Sequence, residues 1–571
     1  MSKATIRSWR SRGAAWLPEP VGRLDGFVWR EEDLRDIEKL MPEGPGRPSG
    51  DRARKVPPTA QRARGAYYTP QDAAHFLASW ALRGSDETFL EPSFGDGSFI
   101  RAVADVAHLR GTRPPTWVAA ELDPESARAV VQQGLLSEQE LRLGDFLGID
   151  PEPVDAVIAN PPYVRLRHLP ESSRALALAR TAEAMGESMH PSGSIWMPFV
   201  THMLSFLRSG GRAGLVLPLD FTYVAYARPL WGYLAQNFDA LRVIRTRQRI
   251  FSDINQDVMV LLADGFGGAT KHLEYEAYET AEALAGQARP KGGRIRLADL
   301  SSGERAFQIA LLPNGLADLL AEVSPRTRIA SDLMTFRIGY IAGDKTYFHP
   351  APDVVEKYTL PSSSLHPAVI NSRRLRGRGL RTMEMDPGAA DRLWVPSEHL
   401  SEGELQYVKA GAERGVSQGY KAQMRKPWYR VPGVKAPDVI LSVFSERPLL
   451  LINDARWLAS NSLLCGYVKE GAAEQFVAAW YSPLTLLSIG LQVHSLGGGV
   501  MVMVPNEASR IQMPRVGPET AVSATTKQAL QVGDMQAAYA GGDKLTQELV
   551  GKDGLALIYE GIHQLAHWRT R

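Results

Sequence analysis

Four residues, Asn160-Pro161-Pro162-Tyr163, directly follow the apolar run Val154–Ala159. The run predicts a buried strand, and two prolines cannot continue the hydrogen bonds of a sheet. The strand therefore ends abruptly, and an amide, a backbone carbonyl and an aromatic ring lie at its tip. These groups suit the binding of a planar amino group and the stacking of the ring that carries it, as in a nucleobase.

Acidic residues follow three other apolar runs in the same way: Glu91 after Thr88–Leu90, Glu121 after Thr116–Ala120 and Asp145 after Leu141–Leu143. A single acidic residue after a strand is usually a solvated loop residue. Four polar residues in order, with Asn160 the last, instead predict one ligand site, because ligands bind outside the carboxyl ends of the strands in doubly wound sheets.

Amphipathic stretches around these runs predict the helices of an α/β fold: Gln71–Leu82, Ser98–Leu109, Pro124–Gln133 and Ser194–Arg208. Together with a further apolar run at Gly214–Leu217, the alternation predicts a parallel, doubly wound sheet. Two later runs, Leu241–Arg245 and Asp257–Leu262, have no helix-length segment between them. We expect them to form an antiparallel pair that closes the sheet.

The loop after the first strand, Glu91-Pro92-Ser93-Phe94-Gly95-Asp96-Gly97, carries two glycines that permit close backbone approach. One Gly-x-Gly alone is weak evidence for a nucleotide site. The acidic residues around it argue against a pyrophosphate, which prefers helix N-terminal amides without nearby carboxylates. A cationic ligand fits better, and a sulfonium that carries an α-amino group has this character.

Glu121 and Asp145 suit the other parts of a nucleoside. A carboxylate at the end of the second strand can accept hydrogen bonds from both hydroxyls of a ribose. Asp145 can accept one from an adenine amino group, with Phe146 packing on the ring. With the glycine loop, these residues predict an S-adenosylmethionine pocket, and the amino group held at Asn160 would be the methyl acceptor.

The chain resembles the gamma-class DNA adenine-N6 methyltransferases of restriction–modification systems, which carry the Asn-Pro-Pro-Tyr tetrad. Gly65-Ala66-Tyr67-Tyr68-Thr69-Pro70 resembles the segment that closes over the methionine part of the cofactor in this class. The order of that segment, the glycine loop, the tetrad and a long C-terminal domain is the gamma order. The resemblance is close over residues 65–265 and looser over 325–515. It implies S-adenosyl-L-methionine as the cofactor, double-stranded DNA as the partner and no metal.

The resemblance implies these cofactor contacts: Tyr68, Thr69, Pro70, Glu91, Pro92, Phe94, Gly95, Gly97, Glu121, Leu122, Asp145, Phe146 and Asn160. It implies these catalytic residues: Asn160, Pro161, Pro162, Tyr163 and Phe251. The Asn160 side-chain oxygen and the Pro161 carbonyl would each accept one hydrogen of the adenine amine. Tyr163 would stack on the base, which must be flipped out of the duplex. An aromatic residue at the place of Phe251 covers the other face of the base in this family; the alternative is an ordinary core residue.

Cys465 is the single cysteine, and it lies in the apolar sequence Leu463-Leu464-Cys465-Gly466. This context predicts buried packing and disfavours cytosine C5 methylation, which needs a reactive thiol. One cysteine also excludes an internal disulfide and a cysteine-built metal cluster. Because we find neither a signal peptide nor an apolar stretch long enough to cross a membrane, we expect a cytoplasmic protein.

The sequence beyond about residue 265 is richer in Gly, Pro, Trp and Arg, with short strand-like runs at Val439–Val443 and Val500–Val504. We expect the following division: an N-terminal arm or linker at 1–64, the methyltransferase domain at 65–265, a connecting region at 266–324, a mixed, β-rich target-recognition domain at 325–515 and C-terminal helices at 516–571.

Two basic clusters predict contact with DNA phosphates and base edges: Arg373, Arg374, Arg376 and Arg378 in the first, and Lys426, Trp428 and Arg430 in the second. For either cluster alone, a solvated basic face is the commoner explanation. Their place on a domain that follows a base-modifying site favours DNA.

The sequence leaves other functions open. A methyltransferase of this fold can act on RNA or on a protein glutamine, because the tetrad is specific for amine methylation and not for DNA. A catalytically inactive DNA-binding subunit is a further alternative, against which the intact Glu91, Glu121 and Asp145 argue. Residues 1–64 contain no convincing nuclease constellation. We therefore expect methylation without cleavage, and any cognate restriction endonuclease would be encoded separately.

Overall fold

A computed structural model of the chain describes residues 22–23, 27–28, 69–248, 257–280, 290–495 and 501–569. The chain divides into two units, Met1–Ala66 and Tyr67–Arg571. In the first unit, the described residues form two short antiparallel strands, β1 (Gly22–Arg23) and β2 (Phe27–Val28). The second unit contains a large sheet followed by smaller sheets and helices.

Within the described ranges, the large sheet has nine strands: β3 (Thr88–Glu91), β4 (Thr116–Glu121), β5 (Leu141–Leu143), β6 (Val154–Ala159), β7 (Leu207–Pro218), β8 (Phe238–Thr246), β9 (Val258–Phe266), β10 (His272–Tyr278) and β11 (Lys291–Arg296). Their order across the sheet is β11-β10-β8-β9-β7-β6-β3-β4-β5. Strands β3 to β7 are parallel, and β9 pairs antiparallel with β7 and with β8. The order reverses at β3, where doubly wound sheets form a ligand-binding crevice.

The helices of this half are α1 (Gln71–Ala81), α2 (Ser98–Arg110), α3 (Pro124–Gln132), α4 (Glu171–Met185), α5 (Trp196–Leu204), α6 (Arg228–Asn237), α7 (Leu297–Ser302), α8 (Ala306–Ile309) and α9 (Leu316–Val323). Hydrophobic cores lie on both faces of the sheet. On β6, Val157 and Ala159 belong to one core, and Ala156 and Ile158 belong to the other. Burial on both faces explains why this strand is a continuous apolar run.

The C-terminal half contains an antiparallel sheet of order β13-β19-β16-β17, a sheet of order β15-β14-β18 and the pairs β12-β22 and β20-β21. The strands are β12 (Thr327–Ile329), β13 (Met334–Ile338), β14 (Leu365–Val369), β15 (Asp391–Trp394), β16 (Val439–Ser442), β17 (Leu450–Ile452), β18 (Leu458–Ala459), β19 (Leu463–Val468), β20 (His494–Ser495), β21 (Met501–Val502) and β22 (Gln512–Pro514). The helices are α10 (Ala330–Leu333), α11 (Lys345–Phe348), α12 (Pro352–Lys357), α13 (Glu402–Glu413), α14 (Tyr420–Gln423), α15 (Ala473–Trp480), α16 (Pro483–Gln492), α17 (Pro505–Ser509), α18 (Ala524–Val532), α19 (Met535–Ala540) and α20 (Asp543–Arg569), which Gly551 interrupts.

The predicted α/β fold, with a mixed C-terminal region and a helical tail, is confirmed. The runs Leu241–Arg245 and Asp257–Leu262 form the expected antiparallel pair, as β8 and β9. The pair does not close the sheet, because β10 pairs with β8 and β11 pairs with β10 beyond it. The helix expected over Ser194–Arg208 is too long; it spans only Trp196–Leu204, because β7 begins at Leu207 and pairs with β6 and β9 along its length. None of the helices in the described ranges is long and apolar enough to cross a membrane.

Candidate active site

Glu91, the last residue of β3, is buried, and its Oε2 has no hydrogen-bond partner among the described residues. Burial raises the pKa of this carboxyl well above its ordinary value; nearby Asp96 and Glu121 raise it further, whereas Arg101 lowers it. A buried carboxyl oxygen without a hydrogen-bond partner, close to other acids, is costly for the protein on its own. A cationic ligand beside Glu91 would offset that cost.

Glu121, at the end of β4, is fixed by the backbone around it. Gly95 N donates to its Oε2 at 2.9 Å, and Asp123 N donates to its Oε1 at 2.8 Å. Gly95 and Gly97 have φ angles of 57° and 76°, in the left-handed region that glycine adopts without strain. A Cβ on Gly97 would also lie 3.3 Å from Val130 Cγ2. The carboxylate keeps lone pairs for further donors, such as two ribose hydroxyls.

Asp145 follows β5 and caps the short 3-10 turn Phe146–Gly148, because its Oδ1 accepts a hydrogen bond from Leu147 N at 3.1 Å. Phe146 is only 2% exposed. Its ring centroid lies 5.3 Å from that of Phe199 and 5.4 Å from that of Phe206. The ring predicted to pack on adenine is thus held against Phe199 on helix α5 and Phe206 just before β7, and its contact with a ligand stays a prediction.

The remaining residues of the predicted cofactor site differ in exposure: Thr69, Pro92 and Phe94 are buried, Pro70 is half-buried and Leu122 is exposed. Two predicted site residues, Tyr68 and Phe251, lie outside the described residues. Their roles stay predictions.

Asn160 follows β6, and hydrogen bonds orient its amide from both ends. Nδ2 donates to Thr69 Oγ1 at 3.3 Å, and Oδ1 accepts from the Tyr163 hydroxyl at 2.6 Å. The same hydroxyl lies 2.9 Å from the Val216 carbonyl oxygen on β7. Because a hydroxyl carries one proton, these two acceptors compete for it. The predicted cofactor segment and the tetrad thus meet at the Asn160 side chain.

The rest of the tetrad is packed at the same strand end. Pro161 is buried, and Pro162 and Tyr163 are half-buried. The Tyr163 ring contacts the hydrophobic cores on both faces of the sheet. This packing fixes the ring plane at the carboxyl edge, as a stacking platform requires.

Asp220 lies shortly after the end of β7, and the sequence reasoning did not single it out. Its Oδ1 is buried without a hydrogen-bond partner in the described part of the chain, and Arg165 Nη2 lies 3.9 Å from its Oδ2. Burial raises the pKa of this carboxyl above its ordinary value, and the nearby positive charge of Arg165 offsets part of that rise. The rule that found Glu91 and Glu121, a polar residue after an apolar run, also applies to Asp220 after Gly214–Leu217.

Two family models match the chain: Eco57I restriction-modification methylase over residues 135–251, and Type II methyltransferase M.Eco57I, C-terminal domain, over residues 304–546. Over these two ranges the chain matches the restriction–modification methyltransferase family. The first match contains Asp145 and the tetrad, and the second contains both basic clusters.

Curated relatives within the restriction–modification methyltransferases are distant. Type II methyltransferase M.PaeR7I of Pseudomonas aeruginosa is 27% identical over 452 residues, which are 69% of this chain and 74% of that protein. Type II methyltransferase M.BanIII of Aneurinibacillus aneurinilyticus is 25% identical over 251 residues, 39% of this chain and 41% of that protein. The structure of the Type IIL restriction-modification enzyme MmeI in complex with DNA covers 87% of this chain and 75% of its own, with a TM-score of 0.51 and 12% identity, so the two share a fold.

The first basic cluster is largely solvent-exposed. Arg373, Arg376 and Arg378 are exposed, whereas Arg374 Nη2 lies 3.1 Å from Asp391 Oδ1. Arg374 is therefore partly committed to an ion pair within the protein, and the other three are better placed for an external anion.

The second basic cluster is more closely bound to its own domain. Lys426 is exposed. The Trp428 ring centroid lies 5.5 Å from that of Tyr347, and Arg430 Nη2 donates to the Ser397 carbonyl at 3.0 Å. Trp428 and Arg430 thus have structural roles in addition to any contact with DNA.

Proposed function

We propose that this chain transfers the methyl group of S-adenosylmethionine to the exocyclic N6 of an adenine that is flipped out of duplex DNA, and so protects DNA in a restriction–modification or related defence system. The observation that carries the proposal is the orientation of Asn160 at the end of β6, between Thr69 and Tyr163. An amide held in this way, beside two prolines and a tyrosine, matches a planar amine as substrate.

The residues at the neighbouring strand ends fit the proposed cofactor. Glu91 supplies a buried carboxyl oxygen without a partner among the described residues, in a setting made negative by Asp96 and Glu121. A sulfonium and an α-amino group would supply the missing positive charge. Glu121 has acceptor capacity left for the ribose, and Asp145 lies one strand further along the same edge. When bound, S-adenosylmethionine supplies an electrophilic methyl group.

The chain's own residues would then activate the amine. An adenine nitrogen is a poor nucleophile because its lone pair is delocalised into the ring. Asn160 Oδ1 and the Pro161 carbonyl oxygen would each accept one amino hydrogen, which favours a pyramidal nitrogen with an available lone pair. Oδ1 carries two lone pairs, so it can accept an amino hydrogen while the Tyr163 hydroxyl still donates to it and holds its orientation. These fixed dipoles face charge that develops in the transition state, and alignment of the reacting atoms supplies much of the remaining acceleration.

Cytosine C5 methylation is a poor alternative because it needs a thiolate nucleophile. Cys465 lies on β19, is buried, and burial raises the pKa of its thiol to about 11. The residue pairs with Ile440 and with Arg337 in the C-terminal sheet. It therefore acts as a core residue.

We further propose that residues 325–515 form the domain that recognises the DNA target, through the exposed arginines at 373, 376 and 378 and through Lys426. Arginine and lysine side chains supply phosphate contacts and, in the major groove, contacts to guanine edges. The length of the matched C-terminal domain, residues 304–546, supports a recognition role over a glutamine-methylating enzyme of the same fold.

The test is the transfer of tritiated methyl groups from S-adenosylmethionine to unmodified duplex DNA, RNA and protein in parallel. We expect label only in DNA, and digestion to nucleosides should place it in N6-methyladenine. Label in RNA or protein alone would overturn the proposal, and label in N4-methylcytosine would change the base while keeping the amine chemistry. Methylation-sensitive sequencing of DNA from cells that express the chain would give the recognition sequence.

A further inference from the structure

Three backbone segments form a small antiparallel arrangement beside the carboxyl edge of the large sheet. Val502 on β21 pairs with His494 on β20, and on its other side it pairs with Phe444, which lies beyond the end of β16. Met503 N donates to the Val443 carbonyl at 3.0 Å, which fixes this register. Residues directly opposite each other in a sheet lie on the same face. His494, Val502 and Phe444 therefore form one row of side chains, called the 494–444 row below.

The inner end of the 494–444 row is anchored to the methyltransferase half. The His494 ring stacks on Tyr223, with centroids 5.3 Å apart and planes inclined by 21°. Glu507 Oε1 lies 2.8 Å from His494 Nδ1, and Arg305 Nη2 donates to the same oxygen at 2.8 Å. Tyr223 N donates to the Asp220 carbonyl at 3.0 Å, in the turn that follows β7. The row thus begins next to the strand whose Val216 carbonyl contacts the tetrad.

The outer end of the row is the solvent-exposed ring of Phe444. Phe444 is 53% exposed. Neighbouring strands lie about 4.8 Å apart, so Phe444 lies about 10 Å from His494, two strand spacings away. The row therefore connects Tyr223, in the turn that follows β7, to a projecting apolar side chain.

Phe444 shares its end of the C-terminal sheet with other exposed apolar residues. Strands β13 and β16 both run antiparallel to β19, so their carboxyl ends lie at the same edge. Ile338 ends β13 and is 54% exposed, and Ile341 follows it and is 39% exposed. Single exposed apolar residues are ordinary, but these three share one end of the C-terminal sheet.

Basic residues flank the same edge. Arg425 donates to the Ala342 carbonyl at 3.0 Å and also to the Ile341 carbonyl, which joins helix α14 to the loop after β13. Lys421 and Tyr420 on α14 are exposed. Apolar side chains bordered by lysine, arginine and tyrosine suit a nucleic acid, because the cations meet phosphates while the apolar groups meet bases.

We propose that Phe444 is a wedge that enters the base stack of duplex DNA at the step from which the target base is flipped out, with Ile338, Ile341 and Lys421 in contact beside it. The inference rests on the proposed function. Flipping a base costs the stacking on both of its neighbours. Apolar side chains that insert between base steps keep such a step open, and an aromatic ring replaces part of the lost stacking.

The experiment uses the full chain, a duplex that contains its recognition sequence, and 2-aminopurine at the target position, whose fluorescence rises when it is unstacked. Phe444→Ala is compared with wild type, with Phe444→Trp and with Leu405→Ala. The last is a matched control, since Leu405 is 56% exposed on α13 of the same half. We expect Phe444→Ala to lower the single-turnover methylation rate at least about tenfold, about 1.4 kcal/mol, and to abolish most of the fluorescence rise. Leu405→Ala and Phe444→Trp should match wild type.

A second substrate distinguishes a loss of base flipping from a general loss of folding or catalysis. With the target adenine opposite an abasic site, flipping costs less, so Phe444→Ala should recover most of the wild-type rate. No recovery on this duplex, or equal behaviour of Phe444→Ala and Leu405→Ala on the normal duplex, would overturn the wedge. Tryptophan at position 444 gives an independent signal: its fluorescence should be quenched by the duplex, and unchanged emission would count against insertion. Failure of the proposed function is recognised separately, because the wild-type chain would then transfer no methyl group to DNA.

Discussion

Removing the Tyr163 hydroxyl separates two roles that the site assigns to one residue. In Tyr163→Phe, Asn160 Oδ1 loses a partner at 2.6 Å and the Val216 carbonyl loses one at 2.9 Å. The ring stays, so stacking on the base is kept. A hydrogen bond between neutral groups contributes about 0.5–1.5 kcal/mol net, so loss of the orienting bond should slow methyl transfer about twofold to twelvefold. Duplex binding should change little.

Tyr163→Ala removes the ring as well. Stacking of a base on an aromatic side chain contributes about 1–3 kcal/mol, so the alanine variant should lose about a further fivefold to 150-fold. The ring also contacts both hydrophobic cores, so this variant should unfold at a lower temperature than wild type, whereas Tyr163→Phe should stay close to it.

The assay is single-turnover transfer of tritiated methyl groups to a duplex that carries the recognition site, with duplex affinity measured by fluorescence anisotropy. Tyr559→Phe is the matched control, because it removes a hydroxyl bonded to Asp543 Oδ1 at 2.6 Å in the C-terminal helix. A wild-type rate for Tyr163→Phe would refute the orienting role of the hydroxyl. Equal losses for the phenylalanine and alanine variants would refute stacking.

Two other variants test the cofactor and DNA surfaces. Because burial, Asp96 and Glu121 raise the pKa of Glu91, its contribution to stability is present at low pH and is lost as the pH rises through that raised value. Glu91→Gln should therefore melt above wild type at neutral pH without cofactor, lose this advantage in acid, and bind S-adenosylmethionine more weakly in calorimetry; a lower neutral melting temperature would contradict the account. Replacing Arg373 and Arg376 together by glutamine should weaken duplex binding and reduce the slope of log affinity against log salt by up to about 1.8, if each contacts a phosphate. An unchanged slope would place the DNA surface elsewhere.

Most strands of the methyltransferase half are predictable because each of these is a short apolar run with a recognisable end in the local sequence. β6 is apolar throughout, since both of its faces are buried, and the prolines after Asn160 mark its end. β10 and β11 escape prediction for different reasons. His272–Tyr278 alternates buried and less buried residues and could have been found by its period of two, whereas Lys291–Arg296 is mostly exposed and contains two glycines. Hydrogen bonds to β10 hold this segment in a strand, although its sequence alone does not predict one.

The site was predictable in its residue types and less so in its contacts. Polar residues after apolar runs identify Glu91, Glu121 and Asp145, because the carboxyl ends of parallel strands share one edge. The hydrogen bond between Tyr163 and Asn160 depends on the irregular backbone across Pro161 and Pro162, and no spacing rule predicts it. Phe146 is predicted to pack on the adenine, and in the structure its ring also packs against Phe199 and Phe206, which are distant in the sequence; local spacing does not predict these contacts.

Asn160→Ala gives the most direct test of the central claim that this amide holds the methyl-accepting amine. The measurement is the single-turnover rate of methyl transfer to the recognition duplex, beside a calorimetric titration with S-adenosylmethionine. By analogy with the removal of one preorganised polar group from a transition state, we expect a loss of at least about a hundredfold in rate, with cofactor binding largely intact. Normal turnover by this variant would contradict the account.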